Sequence, residues 1–228
     1  KSKNITIHHC LFAHHGKRNP LVGEESYVEA INNVIYNYSN SQQTWGAEGP
    51  GLVLVRCFFK LGPDRRKTPL PVRNNALFVY GNLSHDEKGS HGPGVPRRGG
   101  PIKLTLHDVE SAGEAWKSVL SHSGALPRDA TSARMVHETV SGTGRQGYKG
   151  DLDADRTALK MHSYAPPPDS DGDGIPDEWE KANALDPADS TDFSTIDASG
   201  YTKLETYCHD RAAALIRAAK RTATPSKP

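Results

Sequence analysis

Over roughly the first third of the chain, apolar positions come in four short runs: Ile5 to Phe12, Tyr27 to Tyr38, Gly51 to Phe59 and Ala76 to Asn82. The runs are rich in β-branched and aromatic residues and turn residues separate them, so they predict strands. Aligning Cys10, Asn33, Cys57 and Asn82 spaces the runs by 23, 24 and 25 residues. A repeat of this length made of short strands is what stacked turns of a coil produce, each burying its apolar face against its neighbours. Inward Asn side chains can then bond from turn to turn, and Cys at two of the four aligned positions is expected to interrupt that ladder. An ordinary antiparallel meander is the alternative that spacing alone leaves open.

The pattern then changes. Ser84 to Pro101 is polar and rich in Gly, Pro and His, and reads as a long surface loop. Ser111 and Glu114 fit a capping box ahead of an apolar stripe of Ala115, Trp116, Val119 and Leu120, with Gly124 as the stop. A second helix is predicted after Asp129, with Ala133, Val136 and Val140 facing inward. Gly142 to Asp153 is Gly-rich and polar, and Ala165 to Pro168 forms a proline hinge. The expected divisions are residues 1–107 for the strand repeat, 108–168 for helical decoration and linker, and 169–228 for a small terminal module. In that module a helix is predicted from Tyr201 to about Ala219, its inner face carrying Leu204, Tyr207, Cys208 and Leu215.

Charge and composition narrow the chemistry only a little. Lys plus Arg number 28 against 27 Asp plus Glu, so overall charge marks neither nucleic acid nor membrane as a partner. No apolar run is long enough to span a bilayer. The three cysteines lack C-x-x-C spacing, and Cys10 and Cys57, two turns apart, would sit about 9.5 Å from each other, beyond disulfide reach. Three free thiols and a monomer are expected.

The most specific local signal is the stretch from Asp169 to Glu180. It places carboxylates at loop positions 1, 3, 5, 9 and 12, on Asp169, Asp171, Asp173, Asp177 and Glu180, with Gly174 at position 6 and the Ile175 carbonyl at 7. A hard cation needs several carboxylates, a backbone carbonyl and a Gly at the reversal, which makes this an EF-hand-like Ca2+ loop. Aligning Gly200 to position 6 yields a weaker partner loop, with Asp197 and Glu205 as its acids. The first loop resembles thrombospondin type 3 and dockerin-like repeats at the ends of secreted bacterial polysaccharide enzymes. That resemblance implies a secreted, extracellular or periplasmic address in a bacterium, and a tethering or structural role.

The run His8-His9-Cys10-Leu11-Phe12, then Arg18-Asn19-Pro20, then Val28 to Asn37 with Asn32-Asn33 and Tyr36-Asn37 resembles polysaccharide lyase family 1, the pectate lyases. Gly51 to Pro63, Phe78 to Asn82 and Ser111 to Asp129 resemble further parts of that family. The resemblance implies a mainly β fold, a right-handed parallel β-helix of about four rungs here, with helical decoration. It implies calcium-dependent β-elimination on polygalacturonate, the pectin backbone, with Arg18 as the base. An arginine serving as base requires neighbouring cations that favour its neutral form, which implies an alkaline optimum. Lys17, His15, Lys60, Arg65 and Arg66 are candidates to contact the polyanion. The family's calcium carboxylates precede the Arg18 turn, so the chain is expected to be a C-terminal piece, inactive alone. A non-catalytic, calcium-dependent carbohydrate-binding or adhesion protein is the alternative. His8 with His9, and His14 with His15, are strand neighbours expected to point to opposite faces rather than to chelate together.

Overall fold

The computed structural model describes residues 4–16, 19–20, 22, 26–38, 51–64, 76–85, 91–92, 103–106, 108–146 and 165–222. The chain divides into two compact units, Lys1–Leu159 and Lys160–Pro228.

In the first unit the apolar runs form β1 (Ile5–His8), β2 (Leu11–Ala13), β3 (Tyr27–Ile31), β4 (Val34–Tyr36), β5 (Gly51–Val55), β6 (Phe58–Lys60), β7 (Ala76–Tyr80) and β8 (Leu83–His85), followed by β9 (His91–Gly92). They build two sheets, ordered β1-β3-β5-β7 and β2-β4-β6-β8-β9. Every pairing is parallel except β8 with β9. Val28 lies opposite both Ile5 and Leu52, and Val34 opposite both Leu11 and Phe58. The chain therefore lays one strand in each sheet and returns a repeat later beside it. This pairing rules out the meander and is consistent with a β-helix or an α/β fold.

The corner between the sheets has a local cause. His9, Asn32, Arg56 and Gly81 have φ of +53°, +52°, +48° and +65°, and each directly precedes one of the aligned positions Cys10, Asn33, Cys57 and Asn82. One left-handed residue swings the chain from one sheet to the next, at a cost of about 1–2 kcal/mol wherever a Cβ is present. Gly81 avoids that cost, and a Cβ there would lie 2.9 Å from Arg56 Cγ.

Behind each corner the aligned residues bond between turns. Asn33 accepts from the Cys10 N–H and donates to the Ile7 carbonyl, both at 2.9 Å. Asn82 does the same for the Cys57 N–H (2.7 Å) and the Leu54 carbonyl (3.0 Å). At Cys57 the ladder is not simply broken, because its sulfur accepts from the Asn33 N–H at 3.4 Å. Burial pushes the Cys57 thiol up to about 12, so it stays protonated. All three cysteines are free, and Cys10 is exposed. Asn82→Ala is expected to destabilise the first unit by about 1–3 kcal/mol for each group orphaned at Cys57 and Leu54. Asn33→Ala should cost less, because water reaches Cys10. Urea titrations giving equal costs would contradict this account.

Alternation along β3 and β5 sends Val28, Ala30, Leu52 and Leu54 into one core cluster with Ile35 and Phe59. Ile31, Val53 and Val55 face the other way and meet Leu104, Leu106 and Val109. That outer segment is fastened by polar side chains, of which Glu29 and Asn32 are buried. The Glu29 carboxylate accepts from the Thr105 N–H, Asn32 binds both backbone groups of Glu110, and Arg56 donates to the Val109 carbonyl at 2.7 Å.

Helix α1 (Ala112–His122) carries the Ser111/Glu114 capping box and buries Ala112, Ala115, Val119 and Leu120. Its Trp116 packs on Phe58, with ring centroids 4.6 Å apart. Helix α2 (Ala130–Ser141) is capped by Asp129, but its inner face differs from expectation. Ala133 is exposed, Val140 is 56% exposed, and Glu138 and Thr139 are the buried residues. The helix meets the coil through polar contacts: Glu138 holds His14 at 2.8 Å and Arg134 at 3.1 Å.

The second unit comprises α3 (Asp177–Ala182), a 3-10 turn (Asp192–Ser194) and α4 (Lys203–Thr222). Helix α4 begins two residues after Tyr201, because Thr202 and Glu205 bond each other reciprocally at its start. Trp179 packs edge-on against Tyr207, with centroids 5.5 Å apart. Leu204, Tyr207 and Leu215 are half-buried, whereas Cys208, expected on that face, is exposed. Among the described residues no helix is long and apolar enough to cross a membrane.

Candidate functional site

The acidic loop of the second unit is shaped by its own carboxylates. Asp169 accepts from the N–H groups of Gly172 (2.9 Å) and Gly174 (3.1 Å), Asp171 from Asp173 N–H (3.3 Å) and Asp173 from Ile175 N–H (2.8 Å). Gly174 has φ +97°, a reversal that side chains rarely adopt. These bonds leave one oxygen each on Asp171 and Asp173 buried without a hydrogen-bond partner. Ile175 is fully buried and anchors the middle of the loop.

Helix α3 then presents Glu180, which is 0% exposed, with both carboxylate oxygens lacking a hydrogen-bond partner. Two groups of carboxylates converge here. Asp169, Asp171 and Asp173 place oxygens within 4.8 Å of one another, and so do Asp173, Glu180 and Asp192. Burial, then the charges of Asp171, Asp173, Asp192 and Asp177, push the Glu180 carboxyl up to about 7. Burial also raises Asp171. Buried carboxylate oxygens with neither donor nor cation are costly, and a hard divalent ion is the partner this donor set fits.

The other acids singled out by spacing are placed differently. Asp177 turns onto Ser170, accepting from its N–H (2.7 Å) and hydroxyl (2.8 Å), which holds its carboxyl below the usual range. Asp197 accepts from Ser199 and from the Thr206 hydroxyl, which lowers it to about 2. Glu205 caps Thr202. Neither Asp197 nor Glu205 joins the two carboxylate groups. Asp192 does, and spacing misses it because it lies twelve positions beyond Glu180, outside the loop frame. Its only sequence signal is a generic acidic segment.

In the first unit an open groove of about 540 Å³ lies beside β2, α1 and α2, with His9, Cys10, His15, Ser132 and Met135 among its lining. His15 is exposed and its Nδ1 lies 3.2 Å from the buried Asn19 Oδ1. Lys60 points elsewhere. Its ammonium donates to the Thr139 and Val140 carbonyls at 2.8 Å each, at the end of α2, and lies over the Tyr36 and Trp116 rings. Burial lowers its pKa. Lys17, Arg18, Arg65 and Arg66 lie outside the described residues. The left-handed His9 also undoes the strand alternation expected of its pair, bringing His8 and His9 Nδ1 atoms within 2.9 Å. His14 is held by Glu138 and Asn37.

No family model matches the chain, and no solved structure does. Among curated proteins it is similar to the probable pectate lyase C of Aspergillus flavus, 28% identical over 233 residues, covering 90% of this chain and 53% of that protein. The proteins of the same name from Aspergillus terreus and Neosartorya fischeri are 26% and 28% identical over 231 and 229 residues, with the same coverage. These similarities support a relationship to pectate lyases, and the chain spans about half the length of the curated relatives it matches. With 90% of the chain covered, the match extends into both units. Even with every unmatched position at the C-terminus it would reach past residue 200, so the acidic loop falls within the span shared with the relatives. All three relatives are fungal, and the expectation of a bacterial source finds no support among them.

Proposed function

We propose that the chain is the C-terminal part of an extracellular, calcium-dependent pectate lyase of parallel β-helix fold. The observation that carries this reading is the similarity to proteins named pectate lyase across both units, joined to a sheet connectivity in which each repeat stacks on the last.

On this reading Arg18 takes the proton from C5 of a galacturonate residue, and the electron pair left behind expels the glycosidic oxygen from C4. A C4=C5 double bond forms at the new non-reducing end and no water is consumed. The positive charges of Lys17, Arg65 and Arg66 favour a polyanionic substrate. His15, exposed on the groove, offers a ring nitrogen to a sugar hydroxyl. Lys60, by contrast, serves the end of α2.

The acidic loop is the EF-hand-like calcium module. Asp169, Asp171, Asp173 and Glu180 would hold the ion with the Ile175 carbonyl, while Asp177 fastens the loop through Ser170. A bound calcium ion supplies charge neutralisation for the buried acids, and the role is structural. Asp197 and Glu205 shape the start of α4.

The test is an assay of the full-length protein on polygalacturonate with calcium at alkaline pH, following absorbance of the unsaturated product. Arg18→Ala is expected to lower the rate by about 100- to 10,000-fold, the usual contribution of a positioned general base. No product from the full-length protein would leave a non-catalytic carbohydrate-binding protein in its place.

A further inference from the structure

Resting on the calcium reading of the acidic loop, we propose that Asp192 is an additional ligand from outside that loop. One cation is then shared between the loop and the 3-10 turn, and its binding secures the start of α4.

Three observations converge on this. Asp192 brings a carboxylate oxygen within 4.8 Å of both Asp173 and Glu180, inside the roughly 5 Å that separates opposite oxygens on one calcium ion. Its two oxygens are also differentiated by the fold. Oδ2 accepts from the Asp186 N–H at 3.0 Å, which sets the orientation of the group, while Oδ1 is buried without a hydrogen-bond partner. Independently, the fully buried Glu180 leaves both oxygens unpartnered at the same point. Asp173 belongs to both carboxylate groups and so links the loop to the Glu180 and Asp192 oxygens. The donors are all oxygens, which favours calcium over softer ions such as zinc or copper.

The backbone between Glu180 and Asp192 folds back on itself rather than wandering. The Leu185 N–H donates to the Glu180 carbonyl at 2.9 Å, and Asp189 N–H to Asp186 at 2.9 Å. Past the turn, Lys203 N–H donates to the Thr195 carbonyl at 3.0 Å, and Ile196 bridges Thr202. A cation held partly by Asp192 therefore fixes the point from which α4 departs, joining the loop at one end of the unit to the helix that closes it. A loop that bound its ion through its own twelve residues alone would leave this turn unaffected.

The experiment is calorimetric titration of the full chain with calcium chloride, paired with hydrogen exchange of the α4 peptides. Asp192→Asn keeps an acceptor for the Asp186 N–H but removes the charge. It is expected to weaken calcium binding by at least the ~10- to 100-fold typical of losing an outer-shell partner, and to cancel the slowing of α4 exchange that calcium produces in the unaltered chain. Asp189→Asn, on the same segment but with a side chain that accepts from Thr191 and lies outside both carboxylate groups, should leave both unchanged. Calcium binding that Glu180→Gln abolishes and Asp192→Asn leaves intact would overturn the shared ligand while preserving the loop reading. A chain that binds no calcium would overturn both. If Asp192→Asn speeds α4 exchange equally with and without calcium, Asp192 is a turn-stabilising residue and the proposal fails.

Discussion

Withdrawing calcium at about pH 8 is expected to loosen residues 165–222, and acidifying the metal-free protein to about pH 5.5 to tighten them again. The sign follows from Glu180. Its folded carboxyl sits at about 7 against an ordinary 4.5, so between those values the folded state holds a proton that the unfolded chain has released. Metal-free stability is therefore greatest below about 4.5 and is lost as pH rises through 7. Asp171, also raised, acts in the same direction. Asp177 and Asp197 act oppositely, since hydrogen bonds hold them low, but their contribution disappears only below about pH 4. On the proposed calcium reading the ion is expected to invert the profile, because it would bind the deprotonated acids and so stabilise more as pH rises. At a free concentration a hundred times the dissociation constant it adds about 2.7 kcal/mol. Hydrogen exchange across α3 and α4 at the two pH values, with and without chelator, reads this out. A metal-free tail better protected at about pH 8 than at about 5.5 would refute it.

The second large effect belongs to the coil. Phe59→Ala is expected to destabilise the first unit by about 3–5 kcal/mol, a large fraction of the 5–15 kcal/mol that holds a typical domain. Phe59 is 1% exposed inside the coil, edge-on to Tyr38 at 5.8 Å and packed with Ile35, Leu54 and Cys57. Stacked parallel turns cannot close around the missing ring without shifting the register of the turns on either side, so little of the cavity collapses. Its neighbour Phe58 points to the opposite face, against Trp116. Phe58→Ala should therefore free α1 while costing the coil less. Denaturant titration followed by Trp fluorescence and by far-UV dichroism would separate the two, and a loss under about 1 kcal/mol for Phe59→Ala would contradict this packing account.

Local rules made several features legible before any fold was known. Spacing of 23 to 25 residues identifies the turns, because a coil demands that every residue meet its counterpart one repeat away, and that demand is written as period. Asn33 and Asn82 stand out for the same reason. The Ser111 capping box depends on residues three apart and survives into the structure unchanged. The alternation of acids from Asp169 to Asp173 likewise encodes a loop whose bonds are almost all local. Where expectation failed, a distant partner decided. The inward face of α2 is polar because Glu138 meets His14, just past the end of β2 and 124 positions away, so an apolar stripe there points to the wrong side. The charge of Lys60 reads the same wherever it points, and only the fold sets its ammonium against two carbonyls of α2.

By itself, then, the sequence determined the repeat, its strands and the acidic loop, all governed by interactions that recur at short or regular separations. Tertiary structure alone decided which polar groups met across the coil, that Cys208 faces outward, and that Asp192 joins Glu180. Such encounters depend on the chain's return path through space. No period or motif length records that path, so the completed carboxylate cluster became visible only once the second unit had folded.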